Sequence, residues 1–75
     1  MEQTFRVHRS SVGQIVYHQV KQLILQHRIE PGEKIGLAAL AQKLDVSLTP
    51  LREALTRTTD EGFAVHNPNR GYFAA

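Results

Sequence analysis

The sequence predicts a mainly α domain with a small β-hairpin, a winged helix-turn-helix of three helices plus a two-stranded wing. Three observations predict it. Apolar residues recur at three- and four-residue steps in three separate stretches between Ser11 and Asp60. The second and third stretches are joined by a very short bend, Asp45-Val46-Ser47. After Gly62 the helical period stops, and the short apolar segments FAVH and YFAA flank the turn-forming NPNRG. In such a fold the second helix of the helix-turn-helix enters a DNA major groove.

The elements follow in order. Residues 1–10 show no clear period and carry Arg6, His8 and Arg9, so they read as a flexible basic arm, with the folded domain spanning 11–75. Ser11 and Gln14 have capping-box spacing and predict the start of helix 1, which should run to His27. Its apolar stripe is Val12, Ile15, Val16, Val20, Leu23 and Ile24. Glu30-Pro31-Gly32-Glu33 is a strong turn, followed by a very short extended piece at Lys34-Ile35. Helix 2, about Leu37 to Leu44, places the small Ala41 where two steeply crossing helices approach. Asp45 then takes the bend, where a left-handed backbone is needed and Asp is tolerated.

Helix 3 covers about 47–60. Ser47 is the expected N-cap, its hydroxyl accepting the Thr49 amide, and Pro50 fits the first turn, where a missing N–H costs nothing. Leu51, Ala54 and Leu55 point inward, and Gly62 is the expected stop.

Bulk properties set limits. Seventy-five residues make one small domain with a thin core. With no cysteine, disulfides and thiolate zinc sites are excluded, and the absence suits a reducing, cytoplasmic setting. No apolar run reaches the roughly 20 residues of a membrane span, and MEQTFRVHRS has no signal-peptide core. A net charge of +2 permits DNA binding without arguing for it. From Lys43 onward four cations are matched by four acids, so binding must depend on geometry rather than on net charge.

One family resemblance covers roughly residues 12 to 75. Ile29-x-Pro31-Gly32-x-x-Ile35, Leu40-Ala41, Val46-Ser47, Thr49-Pro50-Leu51-Arg52-Glu53-Ala54-Leu55, Glu61-Gly62 and Asn69-Arg70-Gly71 resemble the N-terminal domain of GntR-family bacterial transcription regulators, closest to the FadR-like branch. The resemblance implies a homodimeric, metabolite-responsive repressor or activator on a short palindromic operator of double-stranded DNA. It also implies a C-terminal domain, absent from this chain, that binds a small-molecule effector. Four positions depart from the pattern. Leu48 stands where an arginine is usual, no basic residue lies near Ala38, Asp45 replaces the usual glycine, and a leucine expected near Thr58 is absent, which weakens the core.

The candidate DNA-binding residues are Lys43, Ser47, Leu48, Thr49, Pro50, Arg52, Arg57, Asn69, Arg70 and Gly71. Arg52 is the expected guanine or phosphate contact, because a guanidinium pairs bidentately with either. Ser47 and Thr49 offer hydroxyls at the positive end of a helix, and Leu48 offers apolar contact to a thymine methyl. Lys43 and Arg57 read as flanking phosphate contacts, or equally as a solvated helix face. In the wing (67–71), Pro68 and Gly71 set the turn while Asn69 and Arg70 reach the minor groove.

His8, His18, His27 and His66 have no ligand spacing, so no metal or cofactor is expected. No nucleophile–base pair, phosphate loop or paired carboxylate suggests catalysis, so no enzyme is expected. The competing reading is a winged helix used for protein–protein contact or dimerisation without DNA. Leu48 and the mild charge favour it; Arg52 and Arg70 oppose it.

Overall fold

A computed structural model of the chain describes the backbone from Glu2 to Ala75 and the side chains from Val12 onward. The arm side chains Arg6, His8 and Arg9 lie outside the described residues. The order is α1 (Glu2–Leu25), β1 (Lys34–Ile35), α2 (Leu37–Leu44), α3 (Leu48–Asp60), β2 (Ala64–Asn67) and β3 (Gly71–Ala74).

Helix α1 differs from expectation at both ends. It begins at Glu2 rather than Ser11, for the stretch before Gly13 contains neither proline nor glycine to break it. It ends at Leu25, two residues before His27, because His27 takes a left-handed φ of 56°. The buried face is also rotated. Val16, Tyr17, Val20 and Ile24 are buried, whereas Val12 and Ile15 are more than half exposed. Tyr17 replaces Ile15 in the core because its hydroxyl finds a partner there, on Glu61.

The bend between α2 and α3 follows the sequence closely. Asp45 sits at φ 57° and ψ 49°, and the Asp45 and Val46 amides donate to Gln42 and Ala41 carbonyls left free by the end of α2. Leu40 and Ala41 are buried against α3. At the far end of α3, Gly62 (φ 88°) donates to Thr59 O and Phe63 donates to Thr58 O, closing a Schellman motif.

Thr58 sits in the core with 0% exposure, and its hydroxyl donates to Leu55 O at 3.0 Å. The threonine fills an interior position in the region where the resemblance leads to the expectation of a leucine. Its polar atom is satisfied locally.

The hairpin is part of a larger sheet. The expected extended piece Lys34–Ile35 pairs antiparallel with β3, giving a three-stranded sheet in the order β1-β3-β2. The Pro31-Gly32 turn is tied to it. Gly32 N–H donates to Ala74 O, and Ala74 N–H donates to Glu33 O. Ile35, Ala64 and Ala74 face the helices, closing a core centred on Leu51 and Leu55, both fully buried. The wing is thereby fixed to the helices rather than attached only through its hairpin.

Candidate nucleic-acid interface

Ser47 holds the N-cap position of α3 in extended conformation, but its side chain makes no capping bond, contrary to the bond expected to Thr49. Pro50 lies at the third helical position and has no N–H to offer, which leaves the cap a single amide target instead of two. The exposed Ser47 hydroxyl is therefore uncommitted at the positive end of the helix. Leu48 and Thr49 are exposed beside it, Leu48 at 40%, and Pro50 is half-buried. One turn on, Arg52 is exposed, and its side chain enters no ion pair among the described residues. Four neighbouring residues, Ser47, Leu48, Thr49 and Arg52, thus present free groups on one side of the helix start.

The wing is built by its own backbone. Arg70 N–H donates to Asn67 O across Pro68-Asn69, and Asn69 N–H donates to Asn67 Oδ1. Gly71 then takes φ 104°, a conformation that L side chains rarely adopt, and pairs with Asn67. Pro68, Asn69 and Arg70 are all exposed at the tip. The Arg70 guanidinium carbon lies 5.9 Å from the Phe73 ring centroid, so the side chain leans over the sheet and not toward an acid.

Lys43 is exposed in the last turn of α2. It lines a shallow groove with Lys34 and Glu33 between β1 and α2. Lys34 was not among the residues the sequence singled out. Its stem packs near the wing, with Cε 3.5 Å from where a Cβ on Gly71 would stand. Only the pairing of β1 with β3 brings it there, a contact without local sequence signal.

Arg57 behaves differently from the other candidates. Its guanidinium carbon stacks 3.8 Å from the centroid of the Tyr17 ring, and Nη1 donates to Gln14 Oε1 at 2.9 Å. Nε lies 3.8 Å from Glu61 Oε2. Glu61 in turn accepts the Tyr17 hydroxyl, and Lys21 donates to that hydroxyl at 3.3 Å. Arg57 is turned toward α1, away from the free groups at the helix start. At about 100° per residue, the five steps from Arg52 place it roughly 140° around the helix. The i, i+4 spacing of Arg57 and Glu61 was visible in the sequence. The stacking partner on α1 was not.

Among the described residues no group of three or more His, Cys, Asp or Glu side chains is placed to hold a metal ion. No described helix is long and apolar enough to cross a membrane.

Comparison with known proteins agrees with this geometry. The family model for bacterial regulatory proteins of the gntR family matches residues 12–73. The Nta operon transcriptional regulator of Aminobacter aminovorans is 48% identical over 52 residues, covering 69% of this chain and 25% of that protein. The uncharacterized HTH-type transcriptional regulator YdhC of Bacillus subtilis (strain 168) is 32% identical over 56 residues, covering 75% of this chain and 25% of that protein. The chain thus spans about a quarter of the length of the curated relatives it matches. A fold of three helices and a small antiparallel sheet, with a tight α2–α3 bend and a match over 62 consecutive positions (12 to 73), leads to one conclusion: this chain belongs to the GntR family of bacterial regulatory proteins.

Proposed function

We propose that this chain is the operator-binding module of a transcriptional regulator, with the start of α3 in the major groove and the wing tip at the neighbouring minor groove. The carrying observation is the set of uncommitted groups at the start of α3: the Ser47 hydroxyl without a capping bond, and Leu48, Thr49 and Arg52 exposed beside it. Arg52 supplies the bidentate contact to guanine or phosphate, and Thr49 and Ser47 bond phosphate oxygens. Leu48, where the family pattern has arginine, shifts the base preference toward a thymine methyl. Asn69 and Arg70 enter the minor groove, with Gly71 allowing close backbone approach. Lys43 meets a flanking phosphate.

The rest of the reading follows the family. The regulator works in the cytoplasm as a homodimer on a palindromic site. A small-molecule effector, bound by a separate domain, changes the spacing of the two modules and so represses or releases transcription. Relatives named as transcriptional regulators support DNA over the protein–protein alternative.

Titration of fluorescent duplexes from a randomised pool into the 75-residue chain, at about 50 mM salt, tests the proposal. A recoverable preferred duplex, bound more weakly after Arg52→Ala and after Arg70→Ala, is the expected result. Undetectable binding, or no loss in either variant, overturns it.

A further inference from the structure

We infer that Arg57, Tyr17 and Glu61 form a clamp that sets the angle of α3 over α1, and that Arg57 is a positioning residue for operator recognition without touching DNA. The inference rests on the operator-binding reading above. Its basis is where each group of Arg57 is spent. The planar face stacks on Tyr17, one Nη reaches Gln14, and Nε faces Glu61, so three directions of one guanidinium are occupied by two residues of α1 and the C-cap of α3. The platform beneath it is rigid. Tyr17 is only 3% exposed, and its hydroxyl is held between Glu61 and Lys21, whose Nζ lies 4.8 Å from the centroid of the Phe63 ring.

The ion pair alone does not account for this role. The Arg57 side chain is 50% exposed, and an exposed i, i+4 pair contributes little to stability. The arrangement instead fixes geometry: a cation–aromatic stack and a hydrogen bond across α1 and α3 resist rolling of one helix on the other. The groups at the start of α3 move with any such roll, because the helix is a single rigid element. Nη2 has no partner among the described residues, so a phosphate contact there is the competing role that the experiment must separate from the clamp.

Arg57→Lys and Arg57→Gln, both measured on a duplex recovered by selection and on a scrambled duplex, separate the roles. Lysine keeps the charge but loses the planar stack and the fork. The clamp predicts that both variants bind the selected duplex about tenfold more weakly. It also predicts that binding to the scrambled duplex is unchanged, and that the slope of log K against log salt stays the same for Arg57→Gln. Retained affinity in Arg57→Lys, with a slope reduced by about 0.9 in Arg57→Gln, would mean a phosphate contact and overturn the inference. Lower thermal stability with unchanged discrimination in the folded protein would make Arg57 merely structural and also overturn it. Tyr17→Phe provides a second route should the Arg57 variants not fold. It keeps the ring and all charges but loses the bond to Glu61, and must also narrow discrimination. No preferred duplex for the unaltered chain would instead refute the operator-binding reading itself.

Discussion

The two halves of α3 differ more than its sequence suggests. At its start Ser47 makes no capping bond, and one turn on Arg52 has no ion-pair partner among the described residues. Its last turns engage the rest of the fold, with Thr58 buried, Arg57 stacked on Tyr17 and Glu61 accepting the tyrosine hydroxyl. One helix thus has one end bound into the fold and one end whose exposed polar side chains make no such bonds among the described residues. Two arginines five residues apart have different surroundings because about 140° of helical rotation separates them.

The comparison is broken most severely from the committed half. Leu55→Ala empties the centre of the core, where Leu55 has 0% exposure. The expected cost is about 2–5 kcal/mol, read as the shift in a thermal or urea unfolding curve. In so small a domain, that is enough to unfold much of the population.

Arg52→Ala, from the free half, should do the reverse. Unfolding should shift little, because the side chain is exposed and enters no ion pair among the described residues. Affinity for a preferred duplex should fall by about 1–3 kcal/mol, measured by fluorescence anisotropy. Equal losses in stability and in binding would show that the two halves are not separate.

Gly62→Ala tests the C-terminal stop. Space is open around an added Cβ, so steric contact is not the issue; φ of 88° is. The expected loss is about 1–2 kcal/mol of stability with DNA discrimination kept. Leu48→Arg sharpens the free half. With base edges in reach, the variant should change the preferred sequence in a selection from a random pool, whereas a uniform gain on every duplex would indicate a phosphate contact.

Thr59→Val should have the smallest effect. The Thr59 hydroxyl is buried without a partner in the described structure, so its removal is expected to raise stability by up to about 1 kcal/mol. A loss instead would mean that the hydroxyl is satisfied by water.

Much of this was legible in the sequence because it is local. Asp45 in the left-handed bend, Gly62 at the stop of α3 and the Pro31-Gly32 turn each follow from the conformational preferences of one or two residues. The NPNRG tip folds by the same rules, through the side chain of Asn67 and the positive φ of Gly71. Capping is less reliable. Ser47 has the right residue type at the right position, yet Pro50 withdraws one of its two targets. The start of α1 at Glu2 shows the same weakness, since the Ser11–Gln14 spacing fits a cap that the continuing helix does not need.

The sequence by itself determined the element order, the bend between α2 and α3, the wing turn and the family, because periodicity, turn chemistry and motif spacing act over a few residues. Only the tertiary structure decided which face of α1 is buried, that Lys34–Ile35 joins the wing as a third strand, and that Arg57 stacks on Tyr17 while Arg52 enters no ion pair among the described residues. Those outcomes depend on residues far apart in the chain, such as Ile35 with Tyr72, Gln14 with Arg57 and Tyr17 with Glu61. A helical period gives the angle between side chains, but the partner on the facing helix decides which of them is bound.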